Sequence, residues 1–176
     1  STLEELARVG DLLSSLKSFS LYEDVNPKAL VIDEFLEDFV TFARRDLQDR
    51  GISLVSRAGA RGAAAHADPR ALRQALVSLL ANSMDAMGRK GGAEISVETG
   101  ATDGVIVLEV RDNGPGIPQE HLESLFKPFF TTKSTGTGLG LVIVRKLLAR
   151  MSATISIESE YGVGTCAAIT LQRVAQ

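Results

Sequence analysis

Apolar residues recur in steps of three and four along the first twenty positions. Leu6, Val9, Leu13 and Leu16 carry the repeat, and Leu12 and Phe19 widen the stripe. This is the spacing of a helix-bundle seam. So short a helix is marginal alone in water, and no partner helix adjoins it in the sequence. The pattern predicts one arm of a helical hairpin; the alternative is a helix lying on its own domain. Asn26-Pro27 ends the pattern. A strand over 29–32 follows, then an amphipathic helix over 33–50 with Phe35, Leu36, Phe39, Phe42 and Leu47 on its apolar side, stopped by Gly51. Residues 52–56 read as a strand, 59–62 as a turn and 63–66 as a short strand. Asp68 caps the next helix with Pro69 at its first position. That helix carries Leu72, Leu76, Leu79, Leu80 and Met84 and ends near Gly88.

The second half reads differently. Two β-patterned runs, 94–99 and 105–111, flank Asp103-Gly104, a hairpin signal. A glycine-rich turn (112–117), a short helix (118–125), a polar segment (127–138) and a helix (139–151) follow. Strands 154–158 and 165–171 close the chain around Tyr161-Gly162-Val163-Gly164. The mixture predicts an α+β fold, a two-layer α/β sandwich with one mixed sheet and helices on one face, plus the N-terminal helix. Its 176 residues suit one compact domain, 23–176, with an appendage at 1–22.

Composition narrows the function. A net charge of −3 offers no basic face, so no nucleic-acid partner is expected. The single cysteine, Cys166, excludes an intrachain disulfide, and its apolar neighbours predict a small packed side chain rather than a reactive thiol. No charged-then-apolar leader or run of about 20 apolar residues is present, which predicts a soluble, cytoplasmic piece.

Four segments carry candidate chemistry. Asn82 and Asp85 sit three apart on one helix, sharing a face. An amide oxygen there suits Mg²⁺, which takes few protein ligands; both side chains at a wet helix edge is the plainer reading. Asp112-Asn113-Gly114-Pro115-Gly116-Ile117 follows a strand directly. A carboxylate at a strand end can accept from an exocyclic amine such as adenine N6, and the glycines let backbone approach a flat ring. An ordinary turn explains this hexapeptide equally well. Gly136-Thr137-Gly138-Leu139-Gly140-Leu141 opens a helix, where exposed N–H groups and the helix start favour phosphate; a loop hinge is the alternative. It follows a loop rather than a strand, against a dinucleotide fold, and lacks the Gly-Lys-Ser/Thr of a P-loop. In Leu125–Lys133, Phe126 and Phe129 are expected to root a loop in the core while Thr131, Thr132 and Lys133 face phosphate.

In this order and spacing the four segments resemble the Bergerat ATP-binding fold of gyrases, heat-shock chaperones, mismatch-repair ATPases and histidine kinases. Phe129-Phe130-Thr131-Thr132-Lys133 followed by Gly136-Thr137-Gly138-Leu139-Gly140-Leu141 resembles the histidine-kinase branch specifically, as does the closing turn Gly162-Val163-Gly164-Thr165. The resemblance covers roughly residues 25–172 and extends less specifically to 5–20, which look like the second helix of the kinase dimerisation hairpin. It implies ATP and Mg²⁺ as ligands. Asn82 would hold the metal, with Asp85 nearby. Asp112 would bind the adenine amine, with Thr165 close to the ring and Gly114, Gly116 and Ile117 lining the base pocket. The segment from Phe129 through Thr131, Thr132, Lys133, Gly136, Thr137, Gly138, Leu139, Gly140 and Leu141 would form the lid. The implied activity moves the ATP γ-phosphoryl group to a histidine on a dimerisation domain, then to a response-regulator aspartate in a two-component phosphorelay. The implied parent is homodimeric and can be membrane-anchored.

Two positions depart from the family. Ser78 stands where histidine kinases carry another Asn and the ATPase branches a Glu base, which lowers the ATPase alternative and leaves a catalytically inactive nucleotide-binding module as the other. Ser152-Ala153 stands where a Gly-Gly turn is usual. The resemblance implies an acceptor on the first helix of the hairpin, beside an acidic residue; His66 lies just before the Asp68-Pro69 cap and His121 on the short helix after the Asp112 motif, so the acceptor histidine is expected to be absent from this chain.

Overall fold

A computed structural model describes residues 2–88, 90–132 and 138–175. The elements are α1 (Thr2–Glu23), β1 (Lys28–Val31), α2 (Ile32–Asp49), β2 (Ser53–Arg57), β3 (Ala64–Ala67), α3 (Pro69–Met87), β4 (Glu94–Ala101), β5 (Val105–Asp112), α4 (Gln119–Leu122), α5 (Gly140–Ala149), β6 (Thr154–Glu160) and β7 (Gly164–Gln172). A five-stranded sheet runs β2-β4-β5-β7-β6. β2 pairs with β4 in parallel, which requires a crossover, and α3 lies within that connection. The other three pairings are antiparallel.

The α+β class holds, with one correction. The expected single sheet is two, because β1 and β3 pair only with each other as a short antiparallel ribbon. The ribbon abuts the end of β7 through an Ala65–Arg173 bridge and the Val174 N–H to the Ala64 carbonyl at 2.8 Å. The expected helix over 118–125 is also shorter: after Leu122 the chain continues in single turns, Ser124 N–H to His121 and Lys127 N–H to Ser124.

Register decides where the core lies. Directly opposed residues share a face, so one face of the sheet carries Thr99–Leu108–Ile169–Ile155, then Val97–Val110–Ala167–Ile157. Leu36 and Leu47 of α2, Leu72 and Leu76 of α3, and Leu147 and Leu148 of α5 join these rows in one buried cluster. The opposite face carries Glu98, Glu109, Arg111 and Glu158, with an exposed Arg111–Glu109 ion pair at 2.6 Å. Helices cover one face only. Phe42, expected on the apolar side of α2, is exposed, and the Arg73 guanidinium lies over its ring at 4.1 Å.

Asp68 ties three elements together. The residue is 3% exposed. Its carboxylate caps α3 through the Arg70 N–H (2.9 Å) and accepts the Asn26 N–H (2.8 Å) from the linker after α1. Its own N–H donates to the Met151 sulfur (3.0 Å) at the end of α5. Burial pushes this carboxyl up, but the N–H groups of Asn26, Arg70 and Ala71 outweigh it and hold the group below its ordinary value. A folded-state pKa lowered this way adds stability above the unfolded value of about 3.9, and that stability is lost as pH falls through the folded value. Asp68→Ala is therefore expected to cost about 2 kcal/mol at neutral pH. Urea denaturation of both proteins, repeated at decreasing pH, should show the difference shrinking once the medium is below the ordinary carboxylate range. A pH-independent difference would contradict this account.

Among the described side chains, those at the end of α1 and in the linker after it pack on the domain. Leu21, Tyr22 and Val25 pack on the core, and the Arg150 guanidinium lies over the Tyr22 ring at 5.1 Å. Leu6, Val9, Leu12, Leu13 and Leu16 stand 49–64% exposed. These five apolar side chains are left unburied by this chain. The Phe19 side chain lies outside those described.

Candidate functional site

The apolar face of the sheet turns polar at its last row. Ile95, Asp112, Thr165 and Ser159 stand opposite one another across β4, β5, β7 and β6. The expected strand-end carboxylate is therefore one of three polar groups side by side at the edge of an otherwise greasy layer.

Asp112 is pinned at both oxygens. Oδ2 accepts the Ser83 hydroxyl at 2.8 Å, and Oδ1 accepts the Gly114 N–H at 3.0 Å. Ser83, 7% exposed, comes from α3, one position beyond Asn82. Sequence reasoning missed Ser83 and Ser159. A serine beside an asparagine on a leucine-rich helix carries no signal of its own; only tertiary packing sets it against a strand end. Asn113 has a scaffolding role: its side chain accepts from the Glu94 N–H (2.8 Å) and donates to the Gly92 carbonyl (2.9 Å).

The glycines of the turn are forced by close packing. Gly116 has φ +72°, and a Cβ there would run into the Glu160 carbonyl. Gly114 lies against the Asp112 carboxylate and Met87. Gly162 N–H donates to the Pro115 carbonyl at 2.6 Å, so the turn 112–117 is laid on the β6–β7 hairpin. Beneath it the Ile117 N–H donates to Ser159 Oγ at 2.8 Å, and Ser159 meets Thr165 Oγ1 at 2.8 Å.

The lid segment departs from one expectation. Phe129 is not rooted in the core: it is 73% exposed, at φ +65°. Its backbone explains why. The Phe129 N–H donates to the Gly138 carbonyl (3.1 Å), and a Cβ on Gly138 (φ +73°) would overlap the Phe129 backbone. Phe129 and Gly138 are thus clamped together, and the left-handed backbone at Phe129 throws its ring outward. Half-buried Phe126 and Phe130 lie on its inner side instead, the first under the Arg145 guanidinium (4.9 Å), the second beside His121 (5.7 Å). Thr131 and Thr132 are exposed. Lys133, Gly136 and Thr137 lie outside the described residues.

The helices bring the segments to one end. α3 packs along α5, and the Asp68–Met151 contact sets the start of α3 at the end of α5, so the two run antiparallel. At about 1.5 Å per residue, the start of α5 at Gly140 lies level with the later half of α3, which carries half-buried Asn82 and exposed Asp85. The Asp112 row meets the same part of α3 through Ser83. Leu139 and Leu141 are half-buried there, and Leu141 packs on the core.

Asn82 offers one hard amide oxygen, and half-buried Ser78 one turn earlier adds no second amide. Among the described residues no three His, Cys, Asp or Glu side chains gather as metal ligands. A single oxygen ligand fits a Mg²⁺ carried mainly by phosphate oxygens and water, and does not fit a metal caged by protein. Cys166 lies on the other face, half-buried between Arg111 and Glu158 rather than packed in the core as expected, and burial pushes its thiol up. Among the described residues no helix is long and apolar enough to cross a membrane.

Comparison with known proteins gives a consistent picture. The family model described as histidine kinase-, DNA gyrase B-, and HSP90-like ATPase matches residues 67–175. Sensor histidine kinase ZraS of Salmonella typhimurium is 35% identical over 97% of this chain and 37% of its own length. Sensor protein kinase PilS of Pseudomonas aeruginosa is 34% identical over 95% of this chain and 32% of its own length. The chain thus spans about a third of the curated relatives it matches. Among solved structures, the catalytic domain of histidine kinase ThkA superposes with a TM-score of 0.74 at 25% identity, covering 84% of this chain and 95% of that one. ThkA in complex with the response regulator TrrA gives a TM-score of 0.77 over 94% of this chain and 48% of that one; at 21% identity it speaks for the fold alone.

Proposed function

From the premise that the chain belongs to the histidine kinase-, DNA gyrase B- and HSP90-like ATPase family, we propose that it is the ATP-binding catalytic domain of a sensor histidine kinase, which moves the ATP γ-phosphoryl group to a histidine on a dimerisation domain. The observation that carries the reading is the polar row at the sheet end, with Asp112 held by Ser83 one residue from Asn82.

Each part has a task. Asp112 accepts the exocyclic amine of adenine, while Gly114, Gly116 and Ile117 give the ring a close backbone wall. Thr165 lies beside the base. Asn82 takes a Mg²⁺ that rides on the triphosphate, and Asp85 lies one turn further on. The metal, when bound, neutralises charge on the phosphate oxygens. The helix start at Gly138, Leu139, Gly140 and Leu141 turns N–H groups toward phosphate. Thr131, Thr132, Lys133, Gly136 and Thr137 complete the lid, together with Phe129 at its clamped end. The protein's contribution to such a transfer is positioning and electrostatic stabilisation.

Ser78 bears on the choice of branch. A hydroxyl there is no general base for water, so steady hydrolysis is disfavoured. The exposed stripe of α1 supports residues 1–22 as an arm of the dimerisation hairpin, with 23–176 as the catalytic unit of a homodimeric parent. A response-regulator receiver domain is the downstream partner that kinship with the sensor histidine kinases implies.

The acceptor must come from outside. His66 is in the short strand β3, and His121 is half-buried beside Phe130. Incubated alone with γ-labelled ATP and Mg²⁺, the chain should bind nucleotide and stay unlabelled; a histidine-bearing dimerisation hairpin from the parent should then acquire label. Label on His66 or His121 would contradict the assignment. Tight ATP binding with no transfer to the hairpin would point to the inactive module instead.

A further inference from the structure

The hydroxyls of the polar row can be assigned proton by proton. A serine hydroxyl has one proton to give and two lone pairs. Ser159 Oγ donates to the Gly164 carbonyl at 3.0 Å and accepts the Ile117 N–H at 2.8 Å. All three contacts are satisfied together in one arrangement, in which the third, with Thr165 Oγ1 at 2.8 Å, is made by the Thr165 proton. In that arrangement Thr165 has its proton turned toward β6 and only lone pairs left for anything beside it.

Asp112 stands directly opposite Thr165, on the same face. Its carboxylate is an acceptor already, and the Ser83 hydroxyl and Gly114 N–H bind it in that form. Two neighbouring groups thus offer acceptors and no donor. A 6-aminopurine presents N–H protons to such a pair. A 6-oxopurine presents a carbonyl oxygen, which would face lone pairs, an unpaired contact of the kind that gives large discrimination.

We propose that Ser159 is a positioning residue that sets base specificity: by holding the Thr165 proton away from the cleft, it leaves Asp112 and Thr165 as paired acceptors that admit a 6-aminopurine and reject a 6-oxopurine. The proposal rests on the adenine-binding reading above and adds the group that enforces it. Ser159 lies outside every glycine motif and touches the base only through Thr165.

ATP and ITP differ at position 6 of the purine, with the proton change at N1 that follows, so calorimetric titration of both, with Mg²⁺, reads the effect. The parent should prefer ATP by about 100-fold. Ser159→Ala frees the Thr165 hydroxyl to turn and donate, and the ATP/ITP preference should fall about tenfold. Ser159→Thr keeps a hydroxyl in place and should restore it. Thr165→Val removes the acceptor that ATP uses and ITP meets, so the preference should fall there too. That variant decides the matter if Ser159→Ala does not fold. An equal loss of both affinities in Ser159→Ala, or an unchanged ratio, overturns the proposal. A preference that is unchanged or rises in Thr165→Val also overturns it, a rise meaning that Thr165 donates to the base. A parent that binds neither nucleotide overturns the adenine reading, and this inference with it. A parent that binds ATP while the variant ratios stay fixed overturns this inference alone.

Discussion

Asp112→Asn is expected to weaken ATP binding by about 100-fold or more while leaving the fold intact. Asp112 has two oxygens in use inside the protein, one for the Ser83 hydroxyl and one for the Gly114 N–H. Lone pairs remain on both for an incoming amine. Asparagine has one oxygen, and its NH₂ group can accept nothing. Whichever way the amide turns, a donor is set against Ser83, Gly114 or the adenine amine. Ser83 can rotate its hydroxyl and adapt; the Gly114 N–H and the base cannot. The amide oxygen is then drawn to Gly114, and the NH₂ is left toward the cleft. Titration of parent and variant with an ATP analogue and Mg²⁺, with circular dichroism as the folding control, reads the result. Equal affinities would remove Asp112 from the site and the base-recognition account with it.

Gly116→Ala should be the most damaging single methyl group in the site. The backbone is left-handed at φ +72°, which costs an L residue about 1–2 kcal/mol. The added Cβ also falls on the carbonyl of Glu160 and near the Tyr161 backbone. Neither neighbour is a flexible side chain, so relief requires the turn 112–117 to lift off the β6–β7 hairpin. Together these should lower stability by about 3 kcal/mol, or the melting temperature by about 10 °C. Lifting the turn also moves Ile117 off Ser159, so nucleotide affinity should drop in whatever fraction stays folded. Gly91→Ala is the control: a Cβ there meets open space, and its effect should stay within about 0.5 kcal/mol. Equal melting temperatures for Gly116→Ala and Gly91→Ala would show that the close approach is not rigid.

Helix positions were legible because the 3.6-residue period and the caps are local: Asp68-Pro69 starts α3, and Gly88 ends it. The β4–β5 hairpin was legible from Asp103-Gly104 between two alternating runs. The strand-end placement of Asp112 was legible too, because a strand pattern and a glycine turn are neighbours in sequence. The Phe129 error has the opposite origin. A phenylalanine beside other apolar residues reads as core, but a bond from its N–H to a glycine nine positions away sets a backbone that faces it outward.

The sequence alone determined the α+β class, the order of the nucleotide-binding segments and the kinship they imply, because period, capping and turn chemistry act between residues a few positions apart. The tertiary structure alone decided that β1 and β3 form a ribbon of their own, that Ser83 grips Asp112 and that Ser159 meets Thr165. Those contacts join residues distant in the chain, fixed by strand register and by how α3 lies across the sheet. A register one residue different would move the whole polar row to the opposite face, and nothing local in the chain records which register wins.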